Sequence, residues 1–124
     1  MTITKIVIAD DELSLRLLVR ATIESEQLEV IEAADGLEAW RLIEEHRPLV
    51  VLLDIQMPGR TGIDLTQAIR AHPTLRDTRV ILLSSRARDT DVAEGLMAGA
   101  DRYLTKPFSP TALLNVVNEL SEID

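Results

Sequence analysis

Leu49-Val50-Val51-Leu52-Leu53-Asp54-Ile55-Gln56-Met57-Pro58-Gly59 is the stretch whose reading decides the fold. Its first five residues are apolar, and the run stops at a carboxylate. Such an unbroken run suits a strand covered on both faces, as in a parallel sheet under helices. Pro48 before it and Met57-Pro58-Gly59 after it leave too little room for a helix. Asp54 then stands at the carboxyl end of a central strand, the edge where open α/β sheets build their sites. Taken alone, the run leaves two readings of Asp54 open: a turn cap or a site carboxylate.

Working outward, Ile6-Val7-Ile8-Ala9 is a second short apolar run, and it too ends in acids, Asp10-Asp11-Glu12. A helix is expected from about Glu12 to Ser25, with Asp11 as N-cap and Leu13, Leu17, Leu18 and Ala21 as its buried stripe. Val30-Ile31 reads as an edge strand between Glu29 and Glu32. A second helix is expected from about Leu37 to Glu45, with Leu37, Trp40 and Ile43 inward. A third follows Gly62 to about Ala71, with Leu65, Ala68 and Ile69 inward. Val80-Ile81-Leu82-Leu83 is another strand and ends at Ser84-Ser85. The fourth helix, from about Thr90 to Ala98, is expected to bury Val92, Leu96 and Met97 and to end at Gly99. Tyr103-Leu104 reads as a short strand ending at Lys106-Pro107. Ser109-Pro110 opens the last helix as N-cap and first helical residue, with Leu113, Leu114, Val117 and Leu120 as its stripe.

Strand and helix thus alternate five times, which predicts a doubly wound α/β fold with one parallel sheet. The apolar strands belong in the middle and the polar-flanked second and fifth at the edges. The flavodoxin-like order 2-1-3-4-5 satisfies this, and its switch point sets Asp10-Asp11 beside Asp54. The 124 residues make a single domain, 1–124. An apolar fraction of 46% argues against disorder. There is no cysteine, which removes disulfides and thiolate metal sites and suits a cytoplasmic protein. No run is long enough to span a membrane, and no signal peptide opens the chain. A net charge of −8 argues against direct binding to nucleic acid.

Four strand ends therefore bring polar groups to one sheet edge: Asp10-Asp11, Asp54, Ser84 and Lys106. Clustered carboxylates without histidine or cysteine suit Mg²⁺. A lysine and a hydroxyl beside them can hold phosphoryl oxygens, so the parts needed for phosphoryl transfer to a carboxylate are assembled. His46 and His72 stand at helix C-termini, where a cation suits the dipole, and neither is expected to act in transfer or metal binding.

This constellation resembles the receiver domain of two-component response regulators over nearly the whole chain. The matching residues are Asp10-Asp11, Asp54 with Met57-Pro58-Gly59, Ser84, and Lys106-Pro107-Phe108. The resemblance implies that Asp54 accepts phosphate from a histidine kinase or a phosphotransfer protein. Asp11, Asp54 and the Gln56 carbonyl would ligate Mg²⁺, with Asp10 acting through water. Ser84 and Lys106 would hold the phosphoryl group. Tyr103 would be the switch aromatic, turning inward as Ser84 moves, and Lys106-Pro107 matches a peptide bond that is cis in the family. The signal would pass through the fourth helix, fifth strand and fifth helix to an effector or output domain, and a phosphorylation-dependent homodimer is one such mode. Thr111, Asn115 and Asn118 lack the basic character that such dimers usually carry in the last helix. Gln56 and Arg86, where fast-cycling relatives tend to have asparagine and glutamate, point to a long-lived phosphorylated state, with Arg86 folded over the phosphoryl group.

Two rivals remain. A Mg²⁺-dependent phosphatase with an aspartyl nucleophile would want an acid two residues later, where Gln56 cannot transfer protons. A binding module that never takes phosphate would not need the acceptor, acid pair and lysine together. The chain stops just past the last helix, as a stand-alone regulator or an excised receiver would.

Overall fold

A computed structural model describes residues 3–121. The strands are β1 (Thr4–Ala9), β2 (Leu28–Ala33), β3 (Val50–Asp54), β4 (Arg79–Ser84) and β5 (Arg102–Thr105). The helices between and after them are α1 (Leu13–Ile23), α2 (Gly36–His46), α3 (Gly62–Ala71), α4 (Asp89–Met97) and α5 (Pro110–Ser121). All strand pairs are parallel, in the order β2-β1-β3-β4-β5. Ala9 pairs with Leu53 and Asp54 with Leu83, so the acidic ends of β1 and β3 leave the sheet side by side.

Side chains of successive strand residues enter two separate cores. Val7, Ala9, Val51, Leu53, Val80 and Leu82 face one, filled from α2 and α3 by Ala39, Leu42, Ile43, Leu65 and Ile69. Ile6, Ile8, Val50, Leu52, Ile81 and Leu83 face the other, filled from α1 and α5 by Val19, Ile23, Leu113, Val117 and Leu120. Every residue of β3 is buried, because a central strand covered on both faces has no solvent side.

The helix faces differ from expectation in four helices. In α1, Leu13, Leu17, Leu18 and Ala21 all face outward, with Leu13 57% exposed. The inner face is Leu15, Val19 and Ile23, which has the same four-residue spacing. Between them Arg16 and Arg20 each reach Glu32 of β2 at 3.0 Å. The helix thus rotates so that both guanidinium groups find their carboxylate. Its N-cap is Glu12, not Asp11, and no side chain caps it. In α2, Leu37 is 66% exposed, while Ala39 and Leu42 go inward with Ile43; Trp40 is half-buried, with Arg60 stacked on its ring. In α4, Leu96 and Met97 are exposed, Met97 by 87%, and Gly95 is the buried residue. A Cβ at Gly95 would lie 2.9 Å from Leu82 and 3.1 Å from the Tyr103 ring, so the helix comes down on the sheet where a side chain is lacking. Gly99, just past the end of α4, has φ +117°, a conformation open to glycine. Leu114 of α5 is also outside, at 40% exposure. The start of α5 matches expectation, with Ala112 N–H donating to Ser109 Oγ at 3.0 Å.

Candidate phosphoacceptor site

The carboxyl edge of the sheet holds the four predicted groups. Asp10 follows β1, Asp54 closes β3, Ser84 closes β4 and Lys106 follows β5. Asp10 is fully buried, and Asp54 and Ser84 nearly so. The edge opens into a hollow of about 520 Å³ lined in part by Asp11, Asp54, Gln56, Ser84, Lys106 and Pro107. The loop from Asp54 returns the start of α3 against the end of β3, and Gly62 permits it: a Cβ there would stand 2.7 Å from the Asp54 carbonyl oxygen.

Lysine 106 ties the acids together. Lys106 Nζ donates to Asp10 Oδ2 at 2.7 Å and lies 3.5 Å from Asp54 Oδ2. Burial by itself would lower its ammonium pKa. The hydrogen bond to Asp10 and the charges of Asp10 and Asp54 outweigh burial and raise it. The Asp54 carboxyl is pushed above the ordinary carboxylate value, first by burial and then by the charge of Asp10. Lys106 and the Gln56 N–H, which donates to Asp54 Oδ1 at 3.2 Å, offset only part of that rise. The Lys106-Pro107 bond is cis.

Oxygens of Asp10, Asp11 and Asp54 lie within 4.8 Å of one another, a donor set of hard ligands that fits a divalent cation. Within that set the residues differ. Both Asp10 oxygens are already used, one by Lys106 and the other by the Glu12 N–H at 2.9 Å. Asp11 is exposed and faces the hollow.

The fourth strand end reaches further than the sequence reveals. Ser84 Oγ accepts from the Arg86 N–H at 3.0 Å, and the Arg86 carbonyl accepts from Tyr103 Oη at 2.7 Å. The Tyr103 ring is half-buried against the core that contains Leu82. The Arg86 peptide therefore stands between Ser84 and Tyr103. Its sequence signal is only its place two residues after a strand end. His46 and His72 pair with Glu45 and Glu44, away from the hollow.

Comparison with known proteins agrees with this geometry. Residues 6–118 match the family model described as the response regulator receiver domain. The transcriptional regulatory protein SrrA of Staphylococcus aureus is 36% identical over 116 residues, covering 94% of this chain and 47% of that protein. The chain spans about half the length of the curated relatives it matches. The solved structure of the chemotaxis response regulator CheY4 of Vibrio cholerae superposes with a TM-score of 0.89 at 32% identity, over 96% of this chain and 99% of that one. The receiver domain of Francisella response regulator 1452 gives 0.86 at 35% identity, over 94% and 95% of the two chains.

Proposed function

The chain belongs to the receiver domain family of two-component response regulators, whose general function is a phosphorylation-operated signalling switch, and on that premise we propose that Asp54 is its phosphoacceptor. The observation that carries this is the Lys106 ammonium between two buried carboxylates, 2.7 Å from Asp10 and 3.5 Å from Asp54. A histidine kinase or a phosphotransfer protein supplies the phosphoryl group. One Asp54 oxygen attacks phosphorus, the phosphorus–nitrogen bond of the phosphohistidine breaks, and the electron pair returns to the imidazole. Asp54 becomes an acyl phosphate. Leu15 of α1 lines the hollow beside Asp11 and Glu12 and offers the donor an apolar contact there.

Asp11, Asp54 and the Gln56 carbonyl are the ligands proposed for Mg²⁺, with Asp10 acting through water. The occupied oxygens of Asp10 support that division. When bound, the ion supplies positive charge against the carboxylates and the phosphoryl oxygens. Lys106 holds one phosphoryl oxygen by its charge, and the Ser84 hydroxyl donates to another. The domain is a switch that carries out this chemistry on itself, not an enzyme acting on a pool of substrate.

The readout follows from the Arg86 peptide. When Ser84 turns to the phosphoryl group, the N–H of Arg86 loses its acceptor, and the carbonyl that holds Tyr103 Oη moves with it. The α4–β5–α5 surface then favours a second arrangement, which an effector, an output domain or a second copy reads. Partner affinity must differ between the two arrangements for any signal to pass. A cytoplasmic location goes with a kinase as donor.

The test is labelling with acetyl phosphate in Mg²⁺, read by intact mass. Wild type should gain one phosphoryl group and a folded Asp54→Asn variant none. Full labelling of that variant would move the acceptor elsewhere.

A further inference from the structure

Between α3 and α4 the surface carries a groove that meets the phosphoacceptor site only at its upper end, at Asp11 and Gln56. Two hollows form it, of about 550 Å³ and about 450 Å³, and both are lined by Ile63 and Glu94. The upper one reaches Gln56 and Asp11 at the sheet edge. The lower one runs down to Met97 and Ala98 at the end of α4. Its walls are mainly apolar, from Met57 and Ile63 through Ala93 to Met97, with Thr61, Gln67 and Thr90 among them. Met97, 87% exposed, is a flexible thioether side chain of the kind that adapts to a partner's surface.

The charge on this groove has one sign. Among the described residues Asp11, Asp64 and Glu94 line it, and neither a lysine nor an arginine does. The helices on either side are ten and nine residues long, so the groove matches about 15 Å of partner helix, roughly three turns. An apolar floor between two helices takes the apolar face of a third, and a rim of carboxylates selects lysine and arginine on its flanks.

We propose that the α3–α4 groove docks a basic amphipathic helix of a partner protein. A second copy of this chain does not supply such a helix from its other apolar helices. Helices α4 and α5 have no basic residue, and Arg16 and Arg20 of α1, Arg41 of α2 and Arg70 of α3 are engaged by Glu32, Glu45 and Asp101. The docking goes beyond the phosphoacceptor function and needs no phosphate, so it holds in the Asp54→Asn domain, where failure of the phosphoacceptor reading leaves it untouched.

The probe is a fluorescein-labelled peptide of about fourteen residues, leucines at helical spacing with lysines between, titrated with the Asp54→Asn chain and read by anisotropy. Saturable binding should appear, weaken as salt rises, and vanish when glutamates replace the lysines. Glu94→Lys and Met97→Glu, both at exposed positions, should each weaken it about tenfold. Glu29→Lys, the same charge change on the exposed side of β2, should leave the dissociation constant within about twofold. No saturation would overturn the proposal. So would equal losses from Glu94→Lys and Glu29→Lys, which would reduce the effect to net charge. Loss in Leu17→Glu with retention in Met97→Glu would place the peptide on α1 and overturn it as well.

Discussion

The side chains of Gln56 and Arg86 are joined: with its amide oxygen towards Arg86, Gln56 accepts from Nη2 at 2.6 Å and from Nε at 3.2 Å. The expectation that Arg86 folds freely over a phosphoryl group therefore needs an added step, because the guanidinium must first leave the Gln56 amide. While the pair holds, neither group is free to orient a water for in-line attack, and orientation accounts for much of such a barrier. The phosphorylated state should accordingly be long-lived. Gln56→Asn with Arg86→Glu breaks the pair and should shorten the lifetime about tenfold, which requires about 1.4 kcal/mol off the barrier. Loss of phosphate from purified phosphoprotein in Mg²⁺ is the measurement. Decay no faster than wild type would show that the pair does not set the lifetime.

The ionised Asp54 should cost the fold stability. Its carboxyl is raised first by burial and then by Asp10, with Lys106 offsetting part. An acid raised in the folded state destabilises it while ionised. That penalty is full above the folded pKa and fades as pH falls towards the unfolded value of about 3.9. Asp54→Asn removes the penalty, so the variant should melt several degrees higher at about pH 7, each kcal/mol being worth about 4 °C at this size. The gain should shrink as pH is lowered through the raised pKa. A variant that melts lower than wild type at neutral pH would mean that the ion pair with Lys106 outweighs burial.

Divalent cation should stabilise the domain through the same carboxylates. Oxygens of Asp10, Asp11 and Asp54 share a space 4.8 Å across. A ligand that binds only the folded state at a hundredfold excess over its dissociation constant adds about 2.7 kcal/mol. Thermal melts in Mg²⁺ and in chelator should separate, and Asp11→Ala should close most of the gap, because Asp11 is the exposed acid facing the hollow. Identical wild-type melts would count against the site.

Signal transmission should depend on the hydroxyl of Ser84. Ser84 Oγ holds the Arg86 N–H, and Tyr103 holds the carbonyl of the same residue. Ser84→Ala should still accept phosphate, but amide NMR shifts over α4, β5 and α5 on adding beryllofluoride should fall well below those of wild type. Undiminished shifts would mean that coupling runs by another route.

The strands and the site were open to reading from the chain alone because their signals are local. The β3 run is apolar at every position since both its faces are covered, and no choice of face arises. Asp10, Asp54 and Ser84 each stand where such a run ends, and Lys106 follows the short edge strand Tyr103-Leu104. Parallel alternation then sends those ends to one edge, and the apolar strands take the centre of the observed order.

Tertiary structure decided what depends on neighbours. Helix α1 carries two apolar stripes of equal spacing, Leu13 with Leu17 and Leu15 with Val19 and Ile23. The second stripe faces inward where Arg16 and Arg20 meet Glu32 on a strand that the helix cannot foresee. Helix α4 turns Gly95 inward and Met97 outward because Leu82 and Tyr103 leave no space for a side chain between helix and sheet. The Gln56–Arg86 pair and the Arg86 peptide between Ser84 and Tyr103 join segments far apart in the chain. Burial on both faces of a strand is a one-body property written in its own residues. The rotation of a helix, and the partner of a guanidinium, are set only when the other surface arrives.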